Sequence, residues 1–375
     1  MTTRLLNQEH SSPDVTAVVY IIQNSPLTFC LLQTLMSIFT VSFLAVFKLV
    51  IVILTGVWLG RSGILNKPAR EALSKVIIKV MLPSLLIVSL GQNASINNLG
   101  KWSVLLIAAV LFAFFGFIIG SLLNRLFRVP TSLRRLVSVA ASLGNASYLP
   151  MPLLATIAAG APLFAQDPGA ESRSIAYISV YLICHSPLLW LFGYPLLSGK
   201  SWREISWRMI ANPPLFASGI GLLLAVAPPL NRLIVQPDAP LRVLLDAGQL
   251  LSAGVFPCAL LILGANLAEK LPDGETVPWN AYVALALGRL VLMPIIGYAF
   301  TLLAWRQGWI PDDPMFVLVL MIEASVPPAN NLMLMCQMHK RGEAAIARLL
   351  LCAYCLAVPS LTVAVTIFLK AAGGN

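Results

Sequence analysis

The chain has 375 residues, 58% of them hydrophobic and only 11% charged, with a formal net charge of +10. That balance excludes an ordinary soluble domain of this length and points to a lipid environment. The positive charge does not mark a nucleic-acid partner, because the basic residues are dispersed through short loops with no basic helix or aromatic-interleaved patch.

Residues 1–15 are polar and include Glu9 and Asp14, the wrong sign for the basic start of a signal peptide, so no cleaved leader is expected. Apolar sequence then runs from Pro26 to Leu59, longer than one span needs, and Gln23, Asn24, Pro26 and Gln33 interrupt its first part. Residues 16–35 therefore have room for an extra interfacial or broken helix. Windows of about 20 apolar residues, the length of a membrane helix, follow at 38–60, 72–91, 102–123, 134–158, 174–197, 214–230, 243–267, 280–304, 314–338 and 344–368. The expectation is an all-α polytopic membrane protein of ten transmembrane helices.

Loop charge orients it. With the N-terminus outside, one side holds Arg61, Lys67, Arg70, Lys75, Arg125, Arg128, Arg134, Arg135, Lys200, Arg203, Arg208, Lys270, Lys340, Arg341 and Arg348, and the other holds the smaller set Arg4, Lys101, Arg173, Arg232, Arg242, Arg306 and Lys370. The positive-inside rule makes the first side cytoplasmic and puts both termini outside or in a lumen. The loop 269–275, with Glu269, Asp273 and Glu275 against Lys270, runs against the pattern, but acidic residues weigh little in that rule. The cysteines lie in or beside apolar spans, so no disulfide framework is expected.

An odd number of helices per repeat inverts the second copy, as in many secondary transporters. Self-similarity at half length is present. Met81-Leu82-Pro83-Ser84-Leu85-Leu86-Ile87 resembles Val255-Phe256-Pro257-Cys258-Ala259-Leu260-Leu261 at an offset of 174, and Ile118-Ile119-Gly120 matches Ile295-Ile296-Gly297 at 177. Pro150 meets Pro327 at the same 177. The resulting organisation is an N-terminal segment 1–34, a first five-helix repeat 35–197, a short cytoplasmic join 198–213 and a second repeat 214–375.

The fourth span contains Gly144-Asn145-Ala146-Ser147-Tyr148-Leu149-Pro150-Met151-Pro152, and the ninth contains Glu323-Ala324-Ser325-Val326-Pro327-Pro328-Ala329-Asn330-Asn331. A proline inside a helix costs about 3 kcal/mol or more, so two in each motif predict broken helices. In lipid such breaks persist only when buried in protein or lining a wet cavity. Asn145, Ser147, Tyr148, Ser325, Asn330 and Asn331 are the polar groups expected to satisfy the freed backbone or to face a ligand. Half-helix N-termini meeting at the midplane favour an anionic group.

Glu323 is the only acidic residue deep in a span, and a charge there costs at least about 2.5–3.5 kcal/mol. It is read as a coupling group for a proton or cation, or as the partner of Arg289 in a buried ion pair. Lys79 and Lys48 lie nearer span ends, where long side chains reach the interface. No acidic pair, HExxH helix, Walker loop or dinucleotide fingerprint occurs, and His10, His185 and His339 are scattered. Neither an enzyme nor a cofactor or metal site is expected.

The motifs resemble the auxin efflux carrier family of membrane transport proteins, and within it the PIN-likes branch. The resemblance rests on Asn212-Pro213-Pro214 with Gly219 and Gly221, Ala239-Pro240-Leu241-Arg242 with Asp246, Leu263-Gly264-Ala265-Asn266-Leu267, Arg289 with Pro294 and Gly297, Pro327-Pro328-Ala329-Asn330, and Gly144-Asn145 with Leu149-Pro150. Tyr177, Tyr181, Trp190, Gly193 and Tyr194 add to it, and the short join 198–213 favours the PIN-likes. The resemblance implies scaffold and transport domains, crossing helices four and nine as in bile-acid carriers, elevator-type alternating access, and an auxin-like indole carboxylate as substrate. It also implies residence in the endoplasmic reticulum, with the plasma membrane as the other option.

The function expected is secondary transport or facilitated passage of a small amphipathic organic anion. Asn145, Asn330 and Asn331 would hold the carboxylate and Leu149, Val326 and Tyr181 the ring, with Ser147, Tyr148, Pro150, Ser325, Pro327 and Pro328 completing the site and Glu323, Arg289 and Lys79 in coupling or ion pairing. The alternatives are a sodium- or proton-coupled symporter and a non-transporting anion sensor. The partners expected are the anion and the bilayer, with a homodimer as one option and no nucleic acid.

Overall fold

The computed structural model describes residues 26–94, 96–199, 213–268, 276–339 and 342–373. Among these every regular element is helical: α1 Pro26–Arg61, α2 Lys67–Asn93, α3 Ile96–Leu126, α4 Thr131–Ser142, α5 Pro150–Gly160, α6 Ala170–Ser198, α7 Pro213–Val226, α8 Pro228–Val235, α9 Arg242–Leu267, α10 Trp279–Arg306, α11 Pro314–Ser325, α12 Asn331–His339 and α13 Glu343–Ala372. Seven are long and apolar enough to cross a membrane, and eight if α7 and α8, bent by 89°, count as one span. The protein is an integral membrane protein.

Prolines set the elements. α1 has its one proline at the first position, where no backbone donor is missed, so it runs unbroken through residues 26–34. Of the segment 16–35, read as room for a separate helix, residues 26–35 continue into the first span, and residues 1–25 lie outside the described part. The expected span 214–230 bends where Pro228 and Pro229 follow Ala227. The basic join at 200–212, the acidic loop 269–275 and Lys340 and Arg341 also fall outside the described residues.

Three helices keep an interior proline by widening locally. The π-helical stretches Ile77–Met81, Leu189–Gly193 and Gly288–Leu292 each end two residues before a proline, at Pro83, Pro195 and Pro294. A proline clashes with the carbonyl four residues back, which lies inside each stretch, and the wider turn relieves that contact. For Pro294 that carbonyl belongs to Leu290, and Ser360 of α13 donates a 2.7 Å hydrogen bond to it. Proline-freed backbone is thus satisfied within protein, as lipid requires.

Small residues bring the helices into backbone contact. On α9, a Cβ at Gly264 would lie 1.9 Å from the Ile53 carbonyl oxygen of α1, and one at Gly56 would lie 2.3 Å from that of Leu261. Gly221 of α7 meets the Leu86 carbonyl of α2 at 3.0 Å, and Gly116 of α3 meets that of Ala141 in α4 at 2.6 Å by the same measure. One set of contacts joins α1 to α9 and α2 to α7 and α9; another joins α3, α4 and α6, and α10, α11 and α13. α11 lies at the centre, buried from Met315 to Ser325 on every face, which suits a helix apolar all round. Its start is tied to α6: Asp313 caps the Met315 N–H at 2.9 Å and accepts from Arg173 Nε at 3.0 Å and Tyr177 Oη at 2.7 Å. Arg173 also binds Asp167 of the preceding loop.

Candidate functional site

α4 ends at Ser142 and α5 begins at Pro150, while α11 ends at Ser325 and α12 begins at Asn331. The two unwound segments run antiparallel against each other. Asn145 N–H donates to the Pro327 carbonyl at 2.8 Å, and Ala329 N–H donates to that of Leu143 at 2.8 Å. Gly144 and Pro328 form a lone β-bridge between them. Each break thus supplies the partners the other lost, so two irregular stretches persist at the centre of the bundle. Asn145, buried, completes the joint: its Oδ1 accepts from Tyr148 N–H at 3.2 Å and its Nδ2 donates to Tyr354 Oη at 2.7 Å. Tyr354 in turn donates to the Pro328 carbonyl at 3.1 Å.

Arg289 of α10, 1% exposed, spans both breaks from behind. Its Nε donates to the Val326 carbonyl at 2.6 Å, Nη2 to the main-chain carbonyl of Glu323 at 3.3 Å and Nη1 to the carbonyl of Ala141 at 3.4 Å. These carbonyls end α4 and α11, the partially negative poles of two helices, and a guanidinium there is favourable. The guanidinium packs on Gly144, where a Cβ would lie 1.9 Å from Nη2. Arg289 therefore takes the backbone of Glu323 and not its carboxylate, whose two oxygens are buried without a hydrogen-bond partner. Gly144 also accepts through its carbonyl from His185 Nε2 at 3.0 Å, which places the ring proton on Nε2 in this contact, and Tyr181 stacks on His185 at 5.4 Å between centroids.

A cavity of about 180 Å3 opens beside this joint. One wall is the break itself, Gly144 to Tyr148 with Ala329, Asn330 and Asn331; the others are Ile78 and Leu82 of α2, Leu182, His185, Ser186, Leu189 and Trp190 of α6, Pro214, Leu215 and Ser218 of α7, and Leu334 of α12. Among the described residues no acidic side chain lines it. The side-chain amides of Asn330 and Asn331 make no hydrogen bond among the described residues.

Of the residues singled out in the sequence, Asn145, Ser147, Tyr148, Asn330 and Asn331 come together on this wall. Pro150, Ser325, Val326, Pro327 and Pro328 form the buried frame behind it: Ser325 bonds back to the Met321 carbonyl at 2.7 Å, and Val326 is fully buried. Tyr181 lies behind His185, and Leu149 faces a second, mostly apolar cavity of about 270 Å3 between α1, α5, α9 and α13. Lys79 is exposed on α2 and stands apart from Glu323 and Arg289. The sequence does not single out His185, Ser186, Trp190, Ser218 or Tyr354 as parts of the site. Leu182, Ser186 and Trp190 share one face of α6 at spacings of four, a periodicity that marks a helix stripe without saying what the stripe faces.

The family model described as membrane transport protein matches residues 41–365. The chain is 26% identical to Protein PIN-LIKES 5 of Arabidopsis thaliana over 356 residues, covering 80% of this chain and 89% of the relative. It is 26% identical to Protein PIN-LIKES 1 of the same plant over 380 residues, covering 89% and 80%. An uncharacterized transporter of Schizosaccharomyces pombe is 21% identical over 410 residues, covering 83% and 91%. These are relatives of a membrane transporter family and not of an enzyme family.

Proposed function

Because the chain belongs to the membrane transport protein family, the auxin efflux carriers with their PIN-likes branch, we propose that it carries a small amphipathic organic anion, with an indole carboxylate such as indole-3-acetate as first substrate. The observation that carries this is the cavity lining: Asn330 and Asn331, with Ser147 and Tyr148, share one cavity with Ile78, Leu82, Leu182, Leu189 and Trp190. A carboxylate takes hydrogen bonds from the first set and an aromatic ring packs on the second. The field has the right sign. The N-terminal ends of α5 and α12 meet the cavity, no acidic side chain among the described residues opposes them, and the Arg289 guanidinium lies behind Gly144.

In this reading the chain is a ten-span, five-plus-five inverted repeat whose crossing helices four and nine are α4–α5 and α11–α12. α1, α2, α7 and α9 form a scaffold past which the other helices carry the cavity by elevator-type motion. The cavity meets α2 near its middle, at Ile78 and Leu82, and α7 in its first two turns, at Pro214, Leu215 and Ser218; in this reading the N-terminus is lumenal in an endoplasmic reticulum membrane.

Binding of radiolabelled indole-3-acetate to purified protein, and its flux in liposomes, test the assignment. A lost hydrogen bond to a charged ligand group costs about 1.5–3 kcal/mol, so Asn330→Ala and Asn331→Ala are each expected to weaken binding about tenfold or more. Wild-type affinity and flux in both variants would sink the site. Binding without any flux would favour the sensor reading instead, and a sodium requirement would favour a cation-coupled symporter.

A further inference from the structure

The frame behind the cavity holds one ionisable group that it does not use. Glu323 lies in the last turn of α11, 1% exposed, and neither carboxylate oxygen has a hydrogen-bond partner. An ionised carboxylate left unpaired in such a place costs far more than protonating it. Its natural counter-ion is present and occupied elsewhere, since the Arg289 guanidinium is met by the carbonyls of Val326, Glu323 and Ala141 at two helix ends. The charge of Arg289 is compensated by main-chain dipoles, so nothing in this arrangement requires a negative carboxylate.

We propose that Glu323 is a proton-binding site, occupied in this conformation, whose proton travels with the transported anion. The mechanism is an exchange of partners. While the two breaks are joined, Arg289 holds their carbonyls and Glu323 keeps its proton on a carboxyl oxygen. When the joint rearranges, Arg289 lets go of the carbonyls and pairs with the Glu323 carboxylate, and the proton leaves to water. An anion in the cavity adds negative charge near the joint and favours the protonated form, so anion and proton bind together and cross in the same direction. The groups that face Glu323 electrically are Arg289 from α10 and Tyr181 from α6, with His185 and Tyr354 facing Arg289 in turn. α5 brings no titratable residue, and α3 carries charge only toward its ends at Lys101 and Arg125.

The proton site and its coupling are tested separately, because the coupling rests on the proposed transport of an anion and the proton site does not. Infrared spectra of the full-length protein in liposomes at about pH 7 are expected to contain the C=O stretch of a buried protonated carboxyl, and Glu323→Gln removes that band. A wild-type spectrum without a band that Glu323→Gln abolishes overturns the proposal, whatever the protein transports. In the second arm, initial rates of indole-3-acetate flux are measured with and without a pH gradient, after subtraction of protein-free liposomes. A proton gradient in the direction of flux is expected to raise the wild-type rate several-fold and to leave the Glu323→Gln rate unchanged. Wild-type flux indifferent to the gradient overturns the coupling and leaves the transport reading standing. No protein-dependent flux at all defeats both the transport reading and the coupling, with the infrared band still deciding the proton site.

Discussion

Replacing Gly144 by alanine adds one methyl group at the point where the Arg289 guanidinium packs on the unwound chain. The added Cβ would sit 1.9 Å from Nη2, 2.8 Å from Cζ and 3.0 Å from Val326 Cγ2, so the guanidinium must move by more than an ångström in a fully packed interior. Its bond to the Val326 carbonyl, at 2.6 Å the shortest of the three, cannot survive that shift. One charge-assisted hydrogen bond contributes about 1.5–3 kcal/mol, and stranding a buried charge by removing its partners costs about 3–5 kcal/mol. Gly144→Ala is therefore expected to destabilise the protein by about 2–5 kcal/mol, read as a fall in the thermal midpoint of the purified protein in detergent. Gly160→Ala is the control, because nothing lies within 4 Å of a Cβ there, and it should leave the midpoint near wild type. A Gly144→Ala protein as stable as the control, with unaltered ligand binding, would refute the role of Arg289 as the clamp on both breaks.

Three further outcomes rest on the same kinds of contact. Tyr354→Phe removes the hydroxyl shared by Asn145 and the Pro328 carbonyl, and should cost about 1–3 kcal/mol in denaturant titration while leaving the cavity wall intact. Gly264→Ala forces a methyl group into the Ile53 carbonyl and should destabilise by about 1–3 kcal/mol, or more if α1 cannot shift; a midpoint unchanged from wild type would mean that α1 and α9 do not pack backbone to backbone. Asp167, in the loop before α6, is held below its ordinary value of 3.8 chiefly by hydrogen bonds from Arg173. A depressed carboxyl contributes stability that is present above its unfolded pKa and lost as pH falls through the folded one. Asp167→Asn should thus lower the stability at neutral pH and flatten part of its acid-induced loss, so that the variant and the wild type converge below about pH 4.

The breaks were legible because proline has a rigid local effect: two prolines in each motif, one pair of them matched at the offset of 177, located both unwound segments to within about three residues. What the breaks do to each other was partly legible, since lipid forbids unpaired backbone and the two segments are natural partners. The fate of Arg289 was not. From sequence an arginine and a glutamate at similar depth read as an ion pair, but helix-end carbonyls compete for a guanidinium, and only coordinates reveal that two such ends converge on it. Tyr181 and Trp190 stand out as aromatic, yet which of them reaches the cavity depends on the rotation of α6, and Tyr181 turns inward against His185. Tyr354 carries no local signal. It matters because α13 passes the joint some two hundred residues further along the chain.

The π-helical stretches have a bearing on how this chain tolerates insertions and deletions. A wide turn holds one more residue than an α-helical turn, so deleting a residue from 77–81 leaves a continuous helix of ordinary pitch and breaks no hydrogen-bond ladder. Because the wide turn takes its extra residue within about one revolution, the parts on either side also keep nearly the same relative rotation. In α2 Arg70 would stay buried and the tight face around Leu86 would stay against Gly221. Each such stretch is a slack link in its helix, where the chain can lose one residue while both sides of the rod keep the faces they turn to their neighbours, whereas the same deletion in the α-helical parts would rotate one side by about 100°.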